Sequence, residues 1–226
     1  MSATFSSLRV PNYRRWATGA IVSNVGTWMQ RTAQDWLVLT QLTNHDARAL
    51  GVTMSLQFGP QLLLLPVTGF VADRIDRRVL LMITQTTMGV LALGLGALTL
   101  AGQVTLPQVY VFAFLLGCAA AFDAPARQAF VGDLVGDDDL PNAVALNSTS
   151  FNLGRLVGPA VAGLLIAAIG TGWVFVVNAF SFAAVVVALA GMQVGQLHRH
   201  DRSGASRGSL VAGFAYVARR PDLITV

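Results

Sequence analysis

Six stretches of about 20 mostly apolar residues follow one another along the chain, and this pattern limits the folds open to it. We place them near residues 16–40, 50–72, 79–101, 107–124, 142–169 and 173–193. A bilayer core about 30 Å thick is crossed by a helix of about 20 residues, and lipid offers the backbone no hydrogen-bonding partner. The sequence therefore predicts an all-α polytopic membrane protein with six spans.

The composition agrees with a lipid-facing surface and excludes several chemistries. Hydrophobic residues make up 54% of the chain and charged residues 12%, against about 25% in a soluble domain. All 15 basic residues are Arg, so a phosphate-binding loop or a Schiff base, each of which needs Lys, cannot reside here. No span carries a nucleophile beside a base or a metal-binding HExxH pair. We expect no enzyme activity, cofactor, metal or nucleic-acid partner.

Arginines near the ends of the spans predict the orientation of the chain. If the N-terminus is cytoplasmic, the opposite side of the membrane carries only Arg48, and positive loops favour the cytoplasm. The sequence therefore predicts a multi-pass protein of the cell inner (plasma) membrane with both ends cytoplasmic. The arginines that fall on the cytoplasmic side are Arg9, Arg14, Arg15, Arg74, Arg77, Arg78, Arg127, Arg199, Arg202, Arg207, Arg219 and Arg220.

The connection after the second span, GFVADRIDRRVLL, combines a glycine, an acid and a basic cluster. Gly69 would allow close helix approach, Asp73 can cap a helix end, and Arg74, Arg77 and Arg78 make the inner surface basic. A loop that is merely positive would explain the arginines but not the placement of Gly69 and Asp73. This spacing resembles the loop signature of the major facilitator superfamily. The resemblance implies a gating role for Asp73 and Arg77, although Asp76 stands where the superfamily usually has Gly.

The fifth span carries a face of small residues in the run GRLVGPAVAG. Gly154, Gly158 and Gly163 would let another helix approach closely, and Pro159 would kink the span. A generic packing face is the simpler interpretation. In this context the run resembles the motif of exporters in the superfamily, with Ala162 in place of a glycine.

The resemblance extends over essentially the whole chain. GTWMQ and WLVL in the first span, AFDAPARQAFVGDLV after the fourth and NAVALNSTSFNLGR before the fifth are similar to the drug and siderophore exporter branch, of the enterobactin-exporter type. The resemblance implies twelve spans in two halves, of which this chain is similar to the N-terminal six-helix bundle. It also implies export of a small amphipathic molecule in exchange for protons by alternating access.

Charged residues inside the predicted spans are candidates for the transport pathway, because they are costly in a membrane. Arg31 and Asp35 share one face of the first span, where an interfacial ion pair and a substrate or proton site are equally open. Arg155 falls near the midplane, with Asn147, Asn152 and Asn178 as possible polar neighbours. Asp123 and Arg127, which flank Pro125, are predicted to fix an inner gate.

The predicted six-span bundle covers residues 1–193, and the composition changes after it. Residues 194–208 predict a polar cytoplasmic linker, and residues 209–226 an interfacial helix and the start of a seventh span. One bundle supplies one wall of a cavity, so transport requires a second six-helix half or a homodimer. The alternative is a truncated half-transporter that acts only as an assembly subunit or an inert fragment.

Overall fold

The computed structural model describes residues 3–198, apart from the side chains of Ala3, Thr4 and Asp73, and this part of the chain contains helices and no strand. The all-α prediction is therefore confirmed. A 3-10 helix precedes α1, a π-helical segment continues it to Leu42, and a short 3-10 turn follows α7. The α-helices are α1 (Pro11–Trp36), α2 (Ala47–Leu63), α3 (Leu65–Arg74), α4 (Arg77–Leu100), α5 (Leu106–Leu134), α6 (Leu140–Ile169) and α7 (Thr171–Ala190).

Each predicted span coincides with a helix or a helix pair, but not all are apolar enough to be assigned to the membrane on composition. Among the described residues, α4, α5, α6 and α7 are each long and apolar enough to cross a bilayer. The helices α2 and α3 make a fifth candidate if this pair, bent by 55° at Leu64, is one span. The first helix does not qualify because polar residues line its buried face. Four or five spans are thus supported, and the sixth remains a prediction.

The fourth span is longer than the sequence predicts. The apolar stretch predicts an end near residue 124, but α5 continues through Pro125 to Leu134. A proline inside a helix costs about 3 kcal/mol. The extra turns bury Phe130, Val131 and Leu134 in the apolar core, and burial of each such side chain is worth about 1.5–3 kcal/mol. Packing therefore outweighs the proline, and most of the connection that the predicted span limits leave at 125–141 is helical.

The contacts between helices are symmetric with respect to the two halves of the chain. The helix α1 packs against α6 and α7, while α5 packs against α2 and α4, and α4 also packs against α7. If the first three spans are exchanged with the last three, each of these contacts maps onto another or onto itself. This is the pattern of a three-helix repeat related by a two-fold axis.

The core consists of apolar layers at both ends and a polar layer between them. One apolar cluster surrounds Trp16 and Phe130 at the end that carries the arginine-rich connection, and another surrounds Leu37 and Phe175 at the opposite end. Between them lie buried polar side chains from several helices: Ser23, Asn24, Gln30, Gln34, Gln57, Thr84, Gln85, Asp123, Asn178 and Ser181. Polar and ionisable groups are costly inside a membrane and usually serve a function there. We therefore expect a functional site in the middle layer.

The segment after α7 is described only at its start. Val194–Gln196 forms a 3-10 turn, and the backbone N–H of His198 donates to the carbonyl of Asp133 at 2.9 Å. The rest of the predicted linker and the predicted interfacial helix at 209–226 lie outside the described residues.

Candidate functional site

A cavity of about 630 Å³, called here the main cavity, lies between α1, α2, α4, α5 and α6. It reaches the polar middle layer of the bundle and combines charged, amide and aromatic groups. Such a mixture of apolar surface and a few placed polar groups is typical of small-molecule sites. Its lining includes Asn24, Trp28, Arg31, Asp123, Arg127, Asn147, Phe151 and Asn152.

Asp123 anchors a hydrogen-bonded network in the wall of the main cavity. Its carboxylate accepts from Thr84 Oγ1 at 2.8 Å, from Gln85 Nε2 at 2.7 Å and from Arg127 Nε at 3.0 Å. Both members of the ion pair are nearly buried, and the guanidinium of Arg127 lies 5.1 Å from the ring centre of Trp16. Because three donors satisfy the carboxylate, Asp123 ties α4 to α5. The sequence predicts that Asp123 and Arg127 act together, but it does not indicate that Asp123 also has partners on α4.

Arg31 and Asp35 share a helix face but take different partners. The guanidinium of Arg31 lies 5.0 Å from the ring centre of Trp28 and 4.5 Å from that of Phe58. Asp35 accepts from Gln57 Nε2 at 3.3 Å. Both residues belong to the described part of the chain, and no guanidinium nitrogen of Arg31 lies within 4 Å of a carboxylate oxygen of Asp35. The interfacial ion pair considered from the sequence is therefore not formed.

Arg155 lies on the exposed side of α6, facing the same tryptophan as Arg31. Its guanidinium is 5.5 Å from the ring centre of Trp28, and the ring of Phe151 packs edge-on against Trp28 at 5.8 Å. Of its three predicted neighbours, Asn147 and Asn152 line the main cavity, whereas Asn178 is buried elsewhere and donates to Gln30 Oε1 at 2.5 Å. The expectation that Asn178 accompanies Arg155 is wrong, because Asn178 lies on α7 behind α1.

The arginine-rich connection is held to the neighbouring helix ends by several contacts. Arg77 donates to Asp133 at 2.6 Å and to the carbonyl of Ala129 at 3.3 Å. Arg78 donates to the carbonyls of Leu189 at 2.7 Å and Ala190 at 3.2 Å, which are among the last carbonyls of α7. The start of α4 is thus fixed to the ends of α5 and α7.

The other residues of this motif make contacts that differ in part from those predicted from the sequence. Asp76 caps α4 by accepting from the backbone N–H groups of Arg78 and Val79, with a negative φ that needs no glycine. A methyl group added at Gly69 would meet no described atom within 4 Å, so the predicted close approach is not made within the described part of the bundle. Arg74 stacks on Phe70 at 3.6 Å. The side chain of Asp73 lies outside the described part.

The small-residue face of α6 packs on α1 through only part of the predicted motif. A Cβ at Gly158 would lie 2.6 Å from Trp28 Cβ, and one at Gly154 would lie 2.8 Å from the backbone of Asn24. Ala162, one turn further on, is fully buried. Gly163 has open space around it and Pro159 is exposed, so neither takes part in this contact. A spacing of four residues, not the glycines themselves, marks the face.

The bundle and its polar cavity define a helical membrane protein of the transporter type, and sequence comparison gives the family. The family model described as transmembrane secretion effector matches residues 2–226. The chain therefore belongs to that family of the major facilitator superfamily, whose members are transporters and not enzymes.

Several curated proteins are similar to this chain over part of their length. The staphyloferrin A transporter of Staphylococcus aureus is 32% identical over 73% of this chain and 42% of its own length. The enterobactin exporter EntS of Shigella boydii is 27% identical over 81% of the chain and 44% of its length. The uncharacterized transporter YfiS of Bacillus subtilis is 26% identical over 90% of the chain and 48% of its own length. The chain thus spans less than half the length of these relatives.

Proposed function

We propose that this chain forms the N-terminal six-helix bundle of a secondary transporter that exports a small amphipathic molecule, of the drug or siderophore type. The observation that carries the proposal is the main cavity, whose lining combines Arg31, Asp123 and Arg127 with the rings of Trp28 and Phe151. Relatives named as an enterobactin exporter and a staphyloferrin A transporter support this class of cargo. The cavity supplies both apolar surface and charge for an amphipathic molecule.

The orientation proposed is N-terminus inside, in the inner membrane. The described helix ends place Arg9, Arg14, Arg74, Arg77 and Arg78 at one end of the bundle and Arg48 at the other. The positive-inside rule assigns the first end to the cytoplasm. In this orientation, the cluster around Trp16 and Phe130 lies on the cytoplasmic side.

The charged ties at the cytoplasmic end are proposed to act in gating. Arg77 and Asp133 join two helix ends, and Asp73 belongs to the same connection. Asp123 and Arg127 close the wall of the main cavity one layer deeper. Breaking and re-forming such pairs would bias the inward-open and outward-open states, while the face of Gly154 and Gly158 keeps α6 against α1.

A second six-helix bundle is proposed to cover the main cavity, either as a C-terminal half or as a second copy. Exchange against protons would drive the cycle, with Asp123, which lines the main cavity, and Asp35, one helical turn from Arg31, as the candidate acidic groups. Alternating access would then be rocking of the two bundles about the cargo.

Everted membrane vesicles test the transport proposal directly. With the full-length protein and an imposed pH gradient, we expect uptake of enterobactin into the vesicles, and loss of that uptake when a protonophore collapses the gradient. Vesicles without the protein are the control. Absence of enterobactin uptake, with the protein present in the membrane, would contradict export of this class of molecule.

Replacement of Arg155 tests whether this residue acts in transport or only in helix packing. Arg155 is exposed on α6 and its guanidinium lies 5.5 Å from the ring centre of Trp28, which lines the main cavity, so Arg155→Ala should leave the amount of protein in the membrane unchanged while it abolishes probe uptake. Arg48→Ala, an exposed arginine at the opposite end, is the matched control and should transport normally. Unchanged uptake by Arg155→Ala would remove this residue from the mechanism.

A further inference from the structure

A small chamber opens within the polar layer beside the main cavity and has no role in the gating or packing described above. This side chamber has a volume of about 30 Å³, room for one or two water molecules. Thr27, Arg31, Met88 and Ala120 line both spaces, so the side chamber adjoins the main cavity. Its polar lining consists of Thr27, Gln30, Arg31, Gln34, Gln57 and Asn178.

Two amide nitrogens in the side chamber are buried donors with no acceptor among the described residues. Gln30 is 3% exposed and Gln34 is 1% exposed, and the Nε2 atom of each has no hydrogen-bond partner there. The oxygen of Gln30 is already used, because it accepts from Asn178. An unsatisfied buried donor costs about 1–3 kcal/mol, so an acceptor from outside this part of the chain would stabilise the chamber.

Arg31 adds a positive charge at the border of the two spaces, and no carboxylate of the described residues lies within ion-pair distance of it. Its guanidinium stacks on Trp28 and Phe58, while the nearest carboxylate along α1, that of Asp35, is held by Gln57. Arg155 approaches the same indole from α6, so two guanidinium groups stand near one ring. Charges within a membrane are normally paired, and a negative group in the side chamber would offset the charge of Arg31.

We propose that the side chamber and Arg31 form a subsite for a carboxylate on the transported molecule. A carboxylate has only acceptor oxygens, fits the planar fork of a guanidinium and would take the free N–H groups of Gln30 and Gln34. The chamber has room for two oxygens but not for a ring, so the apolar part of the cargo lies in the main cavity against Trp28 and Phe151. This subsite rests on the proposed transport function.

A cationic group fits the same place poorly. It would stand beside Arg31 and face the N–H groups of two amides, which cannot accept a hydrogen bond. The carboxylate of Asp123 is satisfied by three donors and is not free to receive it. The lining therefore selects for negative charge.

A pair of probes of nearly the same shape, one anionic and one neutral, tests the subsite. Binding of 1-naphthoate and 1-naphthamide to the full-length protein in nanodiscs would be measured by equilibrium dialysis, with empty nanodiscs subtracted. We expect naphthoate to bind at least about tenfold more tightly, since hydrogen bonds to charged groups are about twice as strong as neutral ones. Arg31→Gln should remove that preference, because the carboxylate loses an oppositely charged partner while the amide of naphthamide loses a weaker contact. Arg48→Gln, the matched control, should keep the preference.

Two further variants keep the test decisive if Arg31→Gln folds poorly. Gln34→Leu removes one free donor and should weaken naphthoate binding more than that of naphthamide, which has one acceptor oxygen instead of two. Asp35→Asn removes a negative charge one turn from Arg31 and should tighten naphthoate binding. Equal affinities for the two probes, or a preference that survives Arg31→Gln, would overturn the subsite.

The outcome for the subsite can be separated from the outcome for transport. Active uptake in everted vesicles together with equal affinities would reject the carboxylate subsite and leave export standing. A naphthoate preference that Arg31→Gln removes, in a protein that takes up no probe, would reject export and retain the binding site.

Discussion

At the scale of single residues, Gly158 fixes the distance between α1 and α6. A Cβ at this position would lie 2.6 Å from Trp28 Cβ and 3.0 Å from the backbone nitrogen of Met29, so Gly158→Ala must push the helices apart. Overpacking of this kind costs about 1–3 kcal/mol. We expect the thermal unfolding midpoint of the purified protein to fall by about 2–4 °C for each kcal/mol, as measured by scanning fluorimetry.

Gly163→Ala is the control for this prediction, since it lies on the same helix with no described atom within 4 Å of the new methyl group. An alanine in a helix interior is favoured over glycine by about 0.5–1 kcal/mol, so the midpoint should stay or rise. Equal midpoints for the two variants would show that the α1–α6 contact is not tight.

The sequence could indicate that the GRLVGPAVAG run is a packing face, but not which of its residues lie on it. Gly154, Gly158 and Ala162 repeat at four-residue intervals and meet α1, whereas Gly163 is rotated away by about 100° from Ala162. Which partner a helix face meets depends on tertiary packing. The partners of Asp123, Thr84 and Gln85, could not be predicted from the sequence either, because they belong to a different helix and lie 39 and 38 residues earlier in the chain.

At the scale of helices, Arg78 joins the start of α4 to the end of α7. Its Nε and Nη2 atoms donate to the carbonyls of Leu189 and Ala190 in the last turn of α7, where the regular helical donors are missing; the carbonyl of Leu189 also accepts from the backbone N–H of Met192 at 3.4 Å. Arg78→Gln should cost about 1–2 kcal/mol and loosen the last turn of α7, because a charged donor is removed. Hydrogen exchange of a peptide covering residues 186–196 should accelerate.

Arg74→Gln tests whether this effect is specific to the contact with α7. Arg74 is exposed and stacks on Phe70 of its own helix, so its replacement should leave exchange in residues 186–196 unchanged. If both variants accelerate exchange alike, the loss of basic charge and not the hydrogen bonds would account for it.

Helices were predicted better than their ends. The positions of the apolar stretches indicated the described helices because a run of about 20 apolar residues has few alternatives in lipid. The end of α5 was missed, since Pro125 reads as a terminator in sequence while the burial of Phe130 and Leu134 decides otherwise. The bend at Leu64 was missed as well: Pro66 removes a backbone donor just beyond it, but the sequence alone gives no angle.

At the scale of the whole molecule, the surface has two kinds of exposed face that solvent exposure alone does not distinguish. Ser148 is exposed on α6 and lines the main cavity, while Val187 is 71% exposed on α7 among apolar neighbours. The first should face water and the second lipid, because only the first belongs to a polar lining. The arrangement of polar residues around α1, α5 and α6 therefore predicts a wet face on an otherwise lipid-facing bundle.

Cysteine labelling in native membranes checks this assignment. In a Cys118→Ala background, Ser148→Cys should react with a positively charged methanethiosulfonate at least about tenfold faster than Val187→Cys, since the thiolate needs water to form. Asp138→Cys, in the exposed connection between α5 and α6, serves as the freely reactive reference. Equal slow rates at Ser148 and Val187 would mean that the main cavity is closed to water in the resting state. Equal fast rates would place Val187 in an aqueous path and require a different arrangement of the bundle in the membrane.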